Sequence, residues 1–128
     1  MKKYAVLMIA LLLVSCVTGA SFKPSPEQAA NANFGDYPNN YEEIVKNHYA
    51  DNLFDPYSAV YTFNKPVKVR MAGGPSPFAW AACGTINAKN RFGGYVGARN
   101  FLLKIHNGVV VNDMEGRAAV DVCEALQK

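Results

Sequence analysis

The sequence predicts an α+β domain: an antiparallel sheet of three to five strands, with an N-terminal and a C-terminal helix packed on one face and one disulfide. Three observations carry this reading. Apolar residues recur at helical spacing near the start and the end of the folded part. Several segments between them alternate in period two, and Asn107-Gly108 stands between two of these as the strongest short hairpin signal. An order of helix, strands, hairpin and helix suits an antiparallel sheet covered by helices.

Order begins near Asn40. Asn40-Tyr41-Glu42-Glu43 places an Asn at the N-cap and a Glu three residues on, the spacing of a capping box. Tyr41, Ile44, Val45, His48, Tyr49 and Leu53 share one helical face, and Asp55-Pro56 stops the helix. Ala59, Tyr61 and Phe63 then alternate with Ser58, Val60 and Thr62. The alternation resumes at Val67, Val69 and Met71, so Pro66 predicts an edge strand broken into two pieces. Residues 72–77 form a glycine- and proline-rich loop. Residues 78–88 predict a central strand. Phe78, Trp80, Ala82, Gly84 and Ile86 lie on one side, and Ala79, Ala81, Cys83 and Thr85 on the other, where small residues admit a close helix. Residues 101–106 and 109–112 flank the Asn107-Gly108 turn. Residues 117–127 close the chain, with Ala119, Val122, Cys123 and Leu126 on one helical face.

A distinct stretch precedes all of this. Of 128 residues, the first 15 read MKKYAVLMIALLLVS, with Lys2 and Lys3 ahead of an apolar run. That run rises only about 15 Å as a helix, half of a ~30 Å bilayer core, so residues 1–15 read as a cleaved export signal. Leu13-Val14-Ser15-Cys16 resembles the bacterial lipobox. The resemblance implies diacylglycerol on the Cys16 thiol, cleavage just before it and acylation of the new amine. Two or three acyl chains hold a protein durably at a membrane where one does not. Val17 is not the aspartate that marks inner-membrane retention in enterobacterial lipoproteins, so the resemblance implies the outer membrane, facing the periplasm. Residues 16–39 then form the lipidated N terminus and a flexible tether. As a loose coil, residues 17–39 span roughly 25–30 Å. Phe34 and Tyr37 are large for a linker, so its last third is expected against the domain. Residues 40–128 make a single domain.

Of the 13 basic residues, Lys2 and Lys3 leave with the signal, and the remaining 11 face 10 acidic ones. So even a balance argues against nucleic-acid binding, which requires a concentrated basic surface. An apolar fraction of 50% with 18% charged residues also excludes a disordered tail. Once Cys16 is lipidated, Cys83 and Cys123 remain. On apolar faces in an oxidising compartment they read as one disulfide, the alternative being a reactive Cys83 beside His48 or His106. No metal or cofactor motif is present in the sequence. His48 falls on an apolar stripe as a packed residue and His106 beside a turn as an exposed one, and neither has Cys, Asp or Glu at ligand spacing. The carboxylates form neither a calcium loop nor an evident acid–nucleophile pair. None of Ser21, Ser25, Ser58 and Ser76 lies in a Gly-x-Ser-x-Gly elbow.

One segment asks for an explanation of its own. Residues 87–99, NAKNRFGGYVGAR, gather three glycines, two aromatics and three basic residues without a GxxxxGK[ST] or GxGxxG pattern. In one reading the glycines supply positive φ between strands, while Phe92 and Tyr95 cover the sheet edge. In the other the segment is a partner-binding loop, with Phe92 and Tyr95 as anchors and Lys89, Arg91 and Arg99 as anion contacts. Both readings can hold together. Residues 80–90 with Phe92-Gly93-Gly94-Tyr95-Val96-Gly97 resemble the core of a group of small uncharacterised proteobacterial envelope lipoproteins, over about residues 41–110. The resemblance implies an envelope location and a common fold, and brings no activity, substrate or catalytic residue.

The expected function is therefore a membrane-anchored, periplasm-facing lipoprotein with a non-enzymatic binding role toward an envelope protein or peptidoglycan. An alternative is an inhibitor or exclusion factor against foreign hydrolases or phage. Lipoprotein lysozyme inhibitors share the size, anchor and disulfide, but a near-neutral domain suits so basic a target poorly. A small cell-wall hydrolase ranks third, since the sequence offers no nucleophile or acid pair for it.

Overall fold

Residues 78–87 carry small or apolar side chains of both parities, and a strand built this way must be covered on both faces. The computed structural model, which describes residues 21–128, makes this stretch the hub of the fold. The export signal and the lipid site at Cys16 lie outside the described residues. Helix α1 (Pro26–Asn31) and helix α2 (Tyr41–Ala50) come first. A short 3-10 turn (Pro56–Ser58), β1 (Val60–Phe63), β2 (Val67–Arg70), β3 (Phe78–Asn87), β4 (Arg99–His106), β5 (Val109–Glu115) and α3 (Gly116–Gln127) follow.

All strand pairings are antiparallel. β3 pairs with β4, and β4 with β5. β1 and β2 share the other edge of β3, β1 lying along Gly84–Asn87 and β2 along Phe78–Ala81. The broken edge strand expected at Pro66 is thus present, with Asn64 N–H still donating to the Cys83 carbonyl at 2.9 Å. Gly84 lets β1 approach β3, because a Cβ there would lie 2.0 Å from the Thr62 carbonyl oxygen. Asn107 (φ 50°) and Gly108 (φ 77°) form the hairpin turn, both left-handed as a type I′ turn requires.

The antiparallel sheet, its flanking helices and the Cys83–Cys123 disulfide agree with the sequence reading, but the helices do not share a face. α3 buries Ala119, Val122 and Leu126 on Ala79, Ala81, Cys83 and Leu102, with Val69 and Met71 of the edge. α2 buries Val45 and Tyr49 on the opposite side, against Ala82, Ile86, Phe101, Leu103 and Ile105. The reason is the double-sided apolarity of β3 and β4: two helices on one face would leave the other set of side chains in water. The disulfide (S–S 2.06 Å, Cα–Cα 6.2 Å) fixes α3 to the central strand. Both sulfurs are engaged, which removes the reactive Cys83 considered as the alternative.

The expected tether and the expected cap also differ from what forms. From Phe22 onward the N-terminal segment lies on the sheet. Arg70 N–H donates to the Phe22 carbonyl (2.8 Å), Lys68 Nζ to the Ala29 carbonyl, and Trp80 Nε1–H to the Gly35 carbonyl (3.1 Å). Phe34 is buried edge-on against Phe78 (5.4 Å between centroids) beside Trp80. The last third thus packs as expected, Phe34 on Phe78 and Tyr37 edge-on to Trp80 at 4.9 Å, whereas the earlier part docks through backbone carbonyls, which leave no periodic signature. Asn40 makes no side-chain cap at its φ of −97° and ψ of 29°. The capping box sits instead at Ser25, whose Oγ accepts from Gln28 N–H while Gln28 Oε1 accepts from Ser25 N–H. His106 is half-buried rather than exposed, its Nδ1 lying 3.0 Å from the Phe78 carbonyl. His48 packs edge-on to Tyr49, with Nε2 3.1 Å from Asp113 Oδ2.

Lys104, in the middle of β4, is fully buried on the α3 face. Its three ammonium protons go to the carbonyls of Met71 (2.6 Å), Gly73 (2.5 Å) and Ser76 (2.6 Å), tying the loop after β2 to the sheet. Burial lowers its pKa from the ordinary lysine value. Lys104→Met keeps the volume but leaves three carbonyls without their donor. We expect it to cost about 2–4 kcal/mol in urea unfolding, and a loss below 1 kcal/mol would contradict the anchoring role. Replacing Cys83 and Cys123 together by Ala frees a 40-residue separation. The chain-entropy account puts that loss near 4 kcal/mol, measured against the oxidised protein in the same denaturant series.

Candidate functional site

Lys89–Gly97 makes a small ordered projection, built largely from amide side chains. Lys89 bridges to Tyr95 in antiparallel fashion, and Asn90 N–H donates to the Gly94 carbonyl at 2.9 Å. Asn90 Oδ1 accepts from the N–H groups of Phe92 (2.9 Å) and Gly94 (3.3 Å), an Asx arrangement that folds the tip on itself. Gly93 turns the tip at φ 77°, and Gly97, at φ 102°, donates its N–H to Asn87 Oδ1.

Ser58 joins this projection to the 3-10 turn ahead of β1. Its Oγ accepts from Lys89 N–H (2.9 Å) and donates to the Asp55 carbonyl (2.7 Å), while its own carbonyl accepts from Tyr95 Oη (3.0 Å). Two loops far apart in sequence are thereby held side by side. Tyr57, one residue before Ser58, is 99% exposed, and Phe92 at the tip is 90% exposed. Tyr95 and Val96 are also exposed. Lys89 Nζ sits 5.6 Å from the Tyr95 ring centroid, a cation–π contact. Arg91 is exposed beside Phe92. Neither Lys89 nor Arg91 takes part in an ion pair among the described residues.

The residues singled out from sequence separate into two groups. Lys89, Arg91, Phe92 and Tyr95 come together on one projection. Arg99 does not join them in charge, because its Nη1 is committed to Glu115 Oε2 at 3.2 Å across β4 and β5. The notion that Phe92 covers the sheet edge also fails, since its ring covers nothing. Sequence reasoning missed Tyr57 and Ser58. The available signal was an aromatic inside the Asp55-Pro56-Tyr57-Ser58 turn, where no buried face calls for one.

Beside Tyr57 an open groove of about 280 Å³ runs between α2 and this turn, walled by Lys46, Ala50, Pro56, Tyr57 and Tyr61. Burial raises the Tyr61 phenol above its ordinary pKa. The chemistry on offer is aromatic faces, the cations Lys46, Lys89 and Arg91, and hydroxyls, suited to binding. Among the described residues no cluster of three or more His, Cys, Asp or Glu gathers to hold a metal ion. No protein-family model, curated protein or solved structure matches this chain.

Proposed function

We propose that this protein is a lipid-anchored component of the bacterial envelope, held at the outer membrane through acylated Cys16 and facing the periplasm. Its role in this reading is non-enzymatic: it docks another envelope protein through the Lys89–Val96 projection and Tyr57. One observation carries the docking role. Phe92 and Tyr57 stand almost fully exposed on loops that hydrogen bonds from Asn90 and Ser58 hold in place. Leaving a Phe ring in water forgoes about 1.5–3 kcal/mol of burial, a large amount for a domain of this size. Pre-ordered aromatics beside an Arg form the typical centre of an interface, because little entropy remains to be lost on binding. The anchor rests on the signal-like start and the lipobox resemblance at Leu13-Val14-Ser15-Cys16. The basic flank of Lys89 and Arg91 disfavours a basic target such as lysozyme.

Two experiments test the two halves. A Cys16→Ala variant of the full chain is expected to leave the membrane fraction, and retention there refutes the anchor. For docking, a photo-crosslinking residue at position 92 in cells should give one discrete protein adduct that the same probe at Glu124, on α3, does not. Tyr57→Ala or Arg91→Ala should reduce that adduct by about tenfold or more, the scale of an interface hot spot. No adduct, or one that both variants leave unchanged, rules the projection out, and an adduct with glycan strands identifies peptidoglycan as the partner instead.

A further inference from the structure

We infer that the edge of the domain around Lys23 and Arg70 is its membrane-facing surface, seating the phosphates of anionic lipid headgroups in the leaflet that holds acylated Cys16. The inference rests on the lipid-anchor reading and adds to it an orientation and a lipid preference. It starts from chain length. Phe22 packs against the α3-side core, and its carbonyl accepts from Arg70 N–H at 2.8 Å. Only six residue steps separate Cys16 from Phe22. Whatever path they take, six residues reach at most about 22 Å, so the β2 edge cannot leave the neighbourhood of the bilayer.

That edge is suited to a lipid surface. Lys23 and Arg70 line one open groove of about 630 Å³, with Pro24, Pro26 and Gln28 along its wall. Both cations are exposed, and neither takes part in an ion pair among the described residues. Arg70 also borders an adjoining groove of about 400 Å³, whose apolar lining is Phe22, Met71, Pro77 and Met114. Two exposed cations beside an apolar notch match a phosphate headgroup with the hydrocarbon boundary next to it, better than they match a free anion. Each such cation is worth on the order of fivefold in affinity for an anionic membrane.

The orientation follows from β3. Its first residue, Phe78, pairs with Arg70, and its last, Asn87, leads into the aromatic projection. Ten residues of strand separate these ends by roughly 30 Å. With the Arg70 end at the lipid, Phe92 and Tyr57 point into the periplasm, clear of the headgroups.

The test uses the full-length acylated protein, purified from membranes and reconstituted in phosphatidylcholine vesicles with or without phosphatidylglycerol. The vesicles carry a nitroxide on their headgroups. A fluorescent residue is placed at position 27, on α1 beside the groove, or at position 92. Position 27 should be quenched several-fold more than position 92, and more so with phosphatidylglycerol. The Lys23→Gln, Arg70→Gln double variant should lose the phosphatidylglycerol-dependent part while unfolding at the same temperature. Equal quenching at both positions, or no dependence on phosphatidylglycerol in the parent protein, overturns the inference while leaving the anchor standing. Release of the quenching by excess inorganic phosphate makes the groove a free-phosphate site and also overturns it. A protein that purifies without acyl chains overturns the anchor and this inference together.

Discussion

The pairing of β3 with β4 sets the terms for everything around it. Ala79, Ala81, Cys83 and Leu102 point one way, and Ala82, Ile86, Phe101, Leu103 and Ile105 the other, so neither face can meet water. A sheet in this position requires two covers, and the chain has one helix at each end to supply them. α3 follows directly from β5 through Gly116 at φ 66° and is fixed by the disulfide. α2 lies across the opposite face, with the Phe34 segment extending that cover over Phe78 and Trp80. The small residues on β3 let α3 approach closely, which is where the Cys83–Cys123 bond becomes geometrically possible.

Polar groups drawn into this double-sided core are matched to partners. Lys104 would be prohibitive in an apolar layer, yet its three protons meet three carbonyls, so the charge that burial disfavours becomes a clasp for residues 72–77. Trp80 Nε1–H and the Lys68 ammonium are satisfied by carbonyls of the N-terminal segment, which is why a stretch with no apolar period still docks. Among the described residues the Tyr49 hydroxyl is the exception, buried without a partner, and burial pushes its pKa well up beside the charges of Glu115 and Asp113. Against so careful a pairing elsewhere, the exposed rings of Phe92 and Tyr57 stand out as surface kept open.

Close packing and exposed aromatic rings therefore lie at opposite ends of β3. One end is crowded by the Phe22 and Phe34 contacts, the other by the hydrogen-bonded projection that presents aromatics to solvent. In the proposed reading such a division suits a tethered domain, because the end that would hold it in place and the end that would meet a partner do not compete for the same side chains.

Much of the local structure was legible in the residues themselves. The period-two segments, the break at Pro66, the Asn107-Gly108 turn and the last helix follow from short-range patterning, the disulfide partners follow from counting the cysteines left once Cys16 is assigned to the lipid, and the structure contains each of these features. Of the candidate site, the sequence marked Lys89, Arg91, Phe92 and Tyr95 correctly as neighbours, because they sit within one turn-rich segment. What it could not carry was anything decided by groups distant in the chain. The faces taken by α2 and α3, the docking of residues 22–31, the burial of Lys104, the loss of Arg99 to Glu115 and the arrival of Tyr57 beside Tyr95 through Ser58 are such cases. Local pattern reports which side of an element is apolar. Which surface covers it, and which backbone carbonyl lies within reach of a cation, depends on long-range closure, and only the assembled fold determines that.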